Sequence, residues 1–162
     1  MADSHKELPT VTASEEELVS DIRPFQALAN SPVGMTAHVR YTAWDAVNPA
    51  TTSAFVVRQV IRETIGFDGL LLTDDLDMQA LDGTVPERAE RAIAAGCDIA
   101  LNCWAKMEDM VGIAQRLPVT SERTTLRLER ALAAAIQGLA AGDQAALIAK
   151  RDALLEHAGL PA

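Results

Sequence analysis

One segment constrains the fold of this chain more than any other. Residues 69–73 read Gly-Leu-Leu-Leu-Thr and are followed at once by the acidic residues Asp74, Asp75 and Asp77. A short apolar run that begins at glycine and ends at charges is typical of a strand buried on both faces, as in a parallel sheet. In such sheets, the carboxyl end of a strand meets the loops that bind ligands. The segment therefore predicts an α/β fold with Asp74 at its functional edge.

The rest of the chain extends this pattern into alternating strands and helices. Further strands are predicted over 33–39 and 98–102. Helices are predicted to begin within 12–17, to cover 21–29, to follow Ser53, and to cover 84–95, 106–117, 128–139 and 145–157, with Gly142 and Asp143 separating the last two. This order is typical of βα units with right-handed crossovers. We expect about three such units in a domain over 1–118, followed by a helical extension over 119–162.

The composition excludes several classes of protein. Of 162 residues, 49% are apolar, which is enough for a core and excludes a disordered chain. Acidic residues outnumber basic ones by 23 to 14, so no basic face is available for nucleic acid or an anionic membrane. Cys97 and Cys103 do not form a CxxC pair, and the first residues lack the apolar core of a secretion signal. These features predict a cytoplasmic protein with reduced thiols.

The three carboxylates after residue 73 have more than one interpretation. Asp74, Asp75 or Asp77 could supply a nucleophile or a general base, or the group could hold Mg²⁺. Equally, aspartates at the start of a helix are stabilised by its dipole without any chemical role. The chain has no glycine-rich phosphate loop, no zinc-ligand spacing and no GxSxG motif.

Histidines and aromatic residues form a second set of candidates. In an extended loop, the Asp3 carboxylate would hold one imidazole nitrogen of His5 and leave the other for proton transfer, unless the terminus is frayed. His38 is either a buried, hydrogen-bonded histidine or part of a ligand pocket. Tyr41 and Trp44 either stack on a ligand or pack their own loop.

Taken together, these segments resemble the catalytic domain of family 3 glycoside hydrolases, in the bacterial β-N-acetylhexosaminidase branch. The strongest block, 65–78, reads IGFDGLLLTDDLDM and is similar to the strand that carries the family's nucleophile. Three further blocks follow the family's order: Asp3-Ser4-His5 with Leu8-Pro9, GMTAHVRY at 34–41 with Pro49-Ala50-Thr51, and ERAERAIAAGCDIAL at 87–101.

The resemblance implies roles for particular residues. Asp74 would be the nucleophile of a retaining mechanism, and His5, oriented by Asp3, would be the general acid/base. Histidine in the second role departs from the usual pair of carboxylates, and its reference pKa of about 6.5 suits proton transfer near neutrality. The expected substrate is terminal β-linked N-acetylglucosamine on muropeptides, as in peptidoglycan recycling. His38 and Met35 would contact this substrate, and neither a metal nor a cofactor is expected.

The family's domain is a (β/α)8 TIM barrel of about 250 residues, and this chain accounts for only part of it. It begins inside the Asp-Ser-His loop motif and lacks the Lys-His-Phe-Pro-Gly that precedes it, so we expect a C-terminal portion of the domain. An uncovered sheet edge then predicts low activity, marginal stability and self-association. One alternative is the complementing half of a split glycosidase. Another, a Mg²⁺-dependent phosphoryl-transfer domain, requires a lysine that the strand at 98–102 lacks.

Overall fold

A computed structural model describes residues 2–141 and 144–159. Its strands are β1 (Thr10–Val11), β2 (Val33–Met35), β3 (Arg40–Tyr41) and β4 (Leu70–Leu72). Its helices are α1 (Glu15–Ala27), α2 (Val85–Ala95), α3 (Met107–Arg116), α4 (Glu122–Ala141) and α5 (Gln144–His157), with a 3-10 turn over Ala50–Thr52 and a π-helix over Val56–Thr64. The predicted α/β class is confirmed, and within the described ranges the strands do not close into a barrel. Gly142 and Asp143 lie outside these ranges.

Strand β4 lies at the centre of the larger sheet. It pairs in parallel with β2, with Val33 opposite Leu70, and on its other side Leu72 forms a parallel bridge with Ile99. All three apolar segments therefore run in the same direction, as the sequence predicts. A second parallel pair joins β1 to β3, with Thr10 opposite Arg40.

The strand predicted over 33–39 is shorter than expected, because it ends at Met35. Beyond it, the hydroxyl of Thr36 and the imidazole Nδ1 of His38 both lie within hydrogen-bond distance of Thr51 Oγ1, at 2.9 and 2.8 Å. These buried side-chain contacts direct the backbone out of the sheet towards the 3-10 turn. A two-residue strand, β3, follows.

The strand predicted over 98–102 is reduced to a single bridge at Ile99. The segment does run beside β4, because Thr73 N–H donates to the Ile99 carbonyl at 3.0 Å. However, the next available amide, that of Leu101, donates to the Thr73 hydroxyl at 2.8 Å. A side chain thus takes the place of a backbone partner, and the regular ladder stops.

Two helices predicted before residue 30 are one continuous helix, α1. The predicted capping box is present, with Ser14 N–H donating to Glu17 at 2.8 Å and Glu17 N–H donating to Ser14 Oγ at 3.3 Å. Pro24 lies inside the helix and removes one backbone hydrogen bond. Burial of Leu18 and packing of Ile22 on the core keep the helix intact in spite of that loss.

Helix α2 follows the prediction closely, since local signals define both of its ends. Thr84 N–H donates to the Glu87 carboxylate at 2.9 Å at the start of the helix. The helix ends at Gly96, whose φ of +117° is a conformation that residues with side chains rarely adopt. Its buried face carries Ala89 and Ala92, both 0% exposed, so α2 packs closely on the rest of the core. Within residues 2–141 and 144–159, no helix is long and apolar enough to cross a bilayer.

A buried ion-pair network joins α4 to the beginning of β4. The Asp98 carboxylate is 4% exposed and lies 2.8 Å from the Arg62 guanidinium and 3.0 Å from that of Arg127. It also accepts hydrogen bonds from the Leu71 amide at 2.9 Å and the Thr124 hydroxyl at 3.1 Å. One carboxylate thus connects the π-helix, the central strand and α4.

The loop before the π-helix is organised by Asp45. Its carboxylate accepts hydrogen bonds from the Val47 and Asn48 amides, both at 2.9 Å, and from the Ser53 hydroxyl at 2.7 Å. Ser53 Oγ in turn accepts from Val56 N–H at 3.2 Å, which confirms it as the cap of the next helix. Burial alone would raise the pKa of Asp45, but the hydrogen bonds outweigh it and lower the pKa to about 2.

Acid unfolding tests this arrangement. Because the pKa of Asp45 in the folded protein lies below that of an unfolded aspartate, about 3.9, its stabilisation is complete above that value and is lost as the pH falls towards 2. We expect Asp45→Asn to remove roughly 1 kcal/mol of this pH-dependent stability, after allowance for solvent screening. The measurement is the free energy of unfolding at several pH values between 2 and 6. Glu16→Gln, an exposed change on α1, is the control, and equal acid sensitivity in both variants would contradict the prediction.

Candidate active site

Asp74 lies where the central strand ends and its loop begins. Thr73, the residue before it, is 0% exposed and is bonded on both backbone and side chain to the neighbouring segment. The Asp74 carboxylate itself is partly exposed and accepts a hydrogen bond from Asp75 N–H at 2.8 Å through Oδ1. In residues 2–141 and 144–159 it has no other hydrogen-bond donor, so the second oxygen is available to a ligand.

The other two carboxylates hold the loop that follows the Ile99 bridge. Asp75 Oδ1 accepts from the Asp77 amide at 3.2 Å and from the Cys103 amide at 3.0 Å. Asp77 Oδ2 accepts from Asn102 Nδ2 at 2.9 Å and from Trp104 N–H at 3.0 Å. Burial by itself would raise the pKa of Asp75. The hydrogen bonds outweigh burial and lower this pKa, so the carboxylate stays ionised. The cluster therefore contains one free carboxylate and two structural ones.

This division bears on the magnesium hypothesis. Two of the three aspartates direct oxygens at amide donors rather than at a common point. Across the part of the chain that the structure describes, no three His, Cys, Asp or Glu side chains are grouped as a metal site. The arrangement favours Asp74 acting alone as a nucleophile or base.

Asp3 and His5 contact each other as the sequence suggests, but in a turn rather than an extended loop. The imidazole Nδ1 lies 2.9 Å from Asp3 Oδ1, and the His5 amide donates to the same oxygen at 3.1 Å. The Asp3 carbonyl accepts from Lys6 N–H at 2.9 Å, which closes the turn. The hydrogen bond to His5 is the main reason that the pKa of Asp3 is lowered. With Nδ1 held in this way, Nε2 faces outward on a side chain that is 76% exposed.

The turn lies against the segment that follows Asp74. Gln79 N–H donates to the His5 carbonyl and Ala80 N–H to the Ser4 carbonyl, both at 3.3 Å. These two long hydrogen bonds bring the Asp3–His5 pair to the Asp74 side of the molecule. Among the described residues, no hydrogen bond joins the His5 side chain directly to the Asp74 side chain.

His38 is a buried residue that contacts the backbone of the loop following Asp74. Its ring is 1% exposed; Nε2 lies 2.9 Å from the Asp75 carbonyl and Nδ1 lies 2.8 Å from Thr51 Oγ1. Burial lowers the pKa of His38. Because a carbonyl only accepts, Nε2 carries the proton of the neutral ring. This is the buried, hydrogen-bonded alternative, and contact of His38 with a substrate stays a prediction.

Met35, Tyr41 and Trp44 all line one apolar cavity. Met35 is 56% exposed and borders this cavity, of about 350 Å³, between α1 and β2. Tyr41 and Trp44 lie with ring centroids 5.1 Å apart and pack with Val60 in the core. Packing of the pair in its own part of the fold agrees with one of its two predicted roles; since both rings also line the cavity, stacking on a ligand stays a prediction. A substrate contact of Met35 stays a prediction.

Sequence reasoning missed Arg88, which fixes the loop beyond Asp74. Its guanidinium is buried and donates to the carbonyls of Leu76 at 2.7 Å and Met78 at 3.1 Å. An arginine beside the alanines of the apolar face of α2 was the available signal, because a buried guanidinium must find acceptors.

Proteins of similar sequence and structure identify the family of this chain. The "Glycosyl hydrolase family 3 N terminal domain" model matches residues 1–134. A β-hexosaminidase from Alkalilimnicola ehrlichii is 38% identical over 133 residues, which is 79% of this chain and 38% of that protein. Two solved structures are also similar. They are a glycoside hydrolase family 3 β-N-acetylglucosaminidase from Paenibacillus sp. str. FPU-7 (TM-score 0.67, 32% identity, 82% of this chain, 27% of that chain) and NagZ from Neisseria gonorrhoeae in complex with N-trifluoroacetyl-D-glucosamine (0.66, 31%, 80%, 39%).

This chain spans well under half the length of each of these relatives. The family match nevertheless includes the Asp3–His5 turn, strand β4 and Asp74, which follows that strand. On that evidence, the chain belongs to glycosyl hydrolase family 3.

Proposed function

We propose that this chain is the part of a retaining β-N-acetylhexosaminidase that carries the nucleophile and the general acid/base. Two observations together carry the proposal. Asp74 has a free carboxylate oxygen at the end of the central strand. The hydrogen-bonded pair of Asp3 and His5 lies in a turn that packs against the segment after Asp74. A buried strand fixes the nucleophile, and a turn beside it presents a proton donor.

In the proposed reaction, an Asp74 oxygen attacks the anomeric carbon of the sugar. The bond to the leaving oxygen breaks as protonated His5 Nε2 gives that oxygen its proton, and a glycosyl ester of Asp74 forms. Neutral His5 then removes a proton from water as the water oxygen attacks the same carbon, which frees Asp74. Asp3 holds Nδ1 throughout, so the exchangeable proton stays on Nε2.

The proposed substrate is a terminal β-linked N-acetylglucosamine on a saccharide or muropeptide. The similar Neisseria structure, whose bound ligand is N-trifluoroacetyl-D-glucosamine, supports this sugar. Peptidoglycan recycling in the cytoplasm, with His38 and Met35 near the sugar, completes the proposal.

For the architecture, we infer part of a (β/α)8 barrel over 1–118, followed by a helical extension over 119–162. The parallel order β2, β4 and the Ile99 segment, each followed by a helix, supports three consecutive βα units. In a closed barrel each strand has two neighbours, and here β2 has only β4 among the described elements.

The 162-residue chain alone is expected to hydrolyse a chromogenic β-N-acetylglucosaminide at least about 10³-fold more slowly than a full-length relative, because poor positioning removes most of the catalytic advantage. His5 is 76% exposed, and its carbonyl and that of Ser4 are each held by one hydrogen bond of 3.3 Å. The measurement is steady-state turnover of the purified chain beside the Alkalilimnicola enzyme. Turnover comparable to that enzyme would refute the prediction.

A second candidate function is that of a complementing half in a split glycosidase. The observation that favours it is the uncovered edge of β2, where Val33 is 46% exposed and Met35 is 56% exposed beside the apolar cavity. Phe25 of α1 adds a further exposed apolar side chain, at 61%. This surface suits a strand and helix from another polypeptide, or from a second copy. In the same assay, turnover that appears only on mixing with a polypeptide carrying the missing strands would favour this function.

A further inference from the structure

A cluster of three buried polar side chains lies next to the loop that begins at Asp74. Its members are Thr36, His38 and Thr51, which are 5%, 1% and 0% exposed. Thr36 Oγ1 and His38 Nδ1 both lie within hydrogen-bond distance of Thr51 Oγ1. His38 Nε2 lies 2.9 Å from the Asp75 carbonyl oxygen. Because buried polar groups destabilise a fold unless they are paired, the donors and acceptors of this cluster must match one another.

One arrangement of protons gives every group of the cluster a partner. The Asp75 carbonyl only accepts, so the neutral imidazole carries its proton on Nε2, and Nδ1 is an acceptor. The hydroxyl of Thr51, 2.8 Å from Nδ1, is then the donor to it. The Ala37 carbonyl, 3.2 Å from the same hydroxyl, already accepts from Val39 N–H at 2.9 Å. Thr51 Oγ1 therefore accepts from the Thr36 hydroxyl, and the hydrogen bonds run in one direction from Thr36 to the Asp75 carbonyl.

The imidazole of His38 gives the loop a hydrogen bond without placing a positive charge beside Asp74. Burial lowers the pKa of His38, so the ring is neutral at neutral pH. The charged groups that interact electrostatically with the ring are Asp74, Asp75 and Arg88. A protonated ring would attract the Asp74 carboxylate and make it a weaker nucleophile, whereas a neutral ring holds the loop without this effect.

Asp75 connects the buried cluster to Asp74. The carbonyl of Asp75 accepts from His38 Nε2, and its amide donates to Asp74 Oδ1 at 2.8 Å. Its carboxylate accepts from two more distant amides, those of Asp77 and Cys103. Since the carbonyl and the amide of one residue are attached to the same α-carbon, a bond that fixes the carbonyl also restrains the amide. That amide gives the Asp74 carboxylate the one hydrogen bond that it receives from the described part of the chain.

We propose that His38 is a positioning residue for the nucleophile. It fixes the carbonyl of Asp75, and the amide of Asp75 in turn sets the direction of the Asp74 carboxylate, with Oδ1 held and Oδ2 left to attack. Displacement of a reacting group by about 1 Å can lower a rate roughly 100-fold, so this restraint matters for catalysis. The inference rests on the proposed function, because it takes Asp74 as the nucleophile.

Hydrogen exchange of the 162-residue chain, followed by nuclear magnetic resonance, tests the inference. The probe is the Asp75 amide, and the reference is the Thr73 amide, which donates to the Ile99 carbonyl at 3.0 Å. Asp74→Ala removes the acceptor and gives the exchange rate of the probe without its hydrogen bond. His38→Leu should raise the ratio of the two rates, probe to reference, about 5- to 10-fold, as expected for loss of one hydrogen bond. His38→Gln, whose side-chain N–H can take the place of Nε2–H, should keep the ratio within about twofold of the unchanged chain.

Two further variants separate positioning from a general loosening of the fold. Leu18→Ala opens a cavity in the core, so it should lower the thermal midpoint without changing the ratio. Thr51→Val keeps the shape of the side chain but removes the donor to Nδ1, and it should raise the ratio by about 2- to 5-fold. This variant also tests the inference should His38→Leu fail to fold. In the unchanged chain at neutral pH, the imidazole nitrogen signals should show a proton on Nε2 and none on Nδ1.

The outcomes separate this inference from the proposed function. An unchanged ratio in His38→Leu and Thr51→Val would show that His38 has a structural role only, and it would overturn the inference. A proton on Nδ1 at neutral pH would overturn it as well. Neither result concerns catalysis, so Asp74 would remain the proposed nucleophile. Unchanged kcat in Asp74→Asn would instead refute the proposed function and leave the exchange result unaffected.

Discussion

Replacing Asp98 with alanine is expected to lower the free energy of unfolding by about 3–5 kcal/mol, because it removes the buried carboxylate that two buried arginines share. Arg62 and Arg127 are 16% and 6% exposed; in this variant Arg62 loses its ion pair with Asp98, and Arg127 keeps only its pair with the exposed Asp68. The Leu71 amide and the Thr124 hydroxyl lose an acceptor as well. The free energy of unfolding of a domain of this size is about 5–15 kcal/mol, so the expected loss is a large fraction of it.

Urea unfolding at neutral pH measures this loss. Asp68→Asn is the matched control, since Asp68 also pairs with Arg127 but is 62% exposed, and exposed pairs contribute about 1 kcal/mol or less. Asp98→Asn should fall between the two variants, because the amide oxygen still accepts from Leu71 while the charge is gone. Equal losses in Asp98→Ala and Asp68→Asn would show that the buried network does not stabilise the fold.

Replacing Asp74 with asparagine should abolish catalysis while leaving the fold unchanged. The experiment uses a chimera in which residues 1–134 replace the matching segment of the Alkalilimnicola β-hexosaminidase, so that a complete domain is present. Loss of a nucleophile should lower kcat by roughly 10³-fold or more. The Asp74 carboxylate receives one hydrogen bond, from its neighbour's amide, so the amide side chain should not shift the thermal midpoint by more than about 2 °C.

Two further variants make this result specific. Asp82→Asn, on a side chain that is 90% exposed, should retain full activity. Asp75→Asn should lower the thermal midpoint, because that carboxylate holds the amides of Asp77 and Cys103. The sugar released first should have the β configuration, as retention requires. Unchanged kcat in Asp74→Asn, or activity that depends on added Mg²⁺, would contradict the proposed mechanism.

Local patterns predicted those parts of the fold that depend on neighbouring residues. The apolar run of β4 placed Asp74 at a strand end, and the capping box with Gly96 defined both ends of α2. The contact between Asp3 and His5 was also predictable, because the two residues are close in sequence and the turn keeps them together.

Features that depend on distant residues were missed. Thr51 shortens β2 through side-chain hydrogen bonds to Thr36 and His38, which lie 15 and 13 positions earlier in the chain. Strand β1 has two residues and exists because Arg40 and Tyr41 lie beside it, so no local periodicity announces it. The same holds for Asp98, whose partner Arg127 is 29 positions later in the chain. Tertiary contacts of this kind override or create structure that short-range patterns cannot encode.

The central strand is held by buried ionic contacts near its beginning, whereas a carboxylate oxygen is available to a ligand just beyond its end. Near its beginning, the Asp98 carboxylate binds the Leu71 amide and two arginines, while beyond its end Asp74 keeps an oxygen free. We therefore expect the two ends of this short strand to tolerate substitutions to different degrees. Loops on the Asp74 side can diverge and change ligand preference while the scaffold survives, whereas changes around Asp98 endanger the scaffold before they can alter specificity.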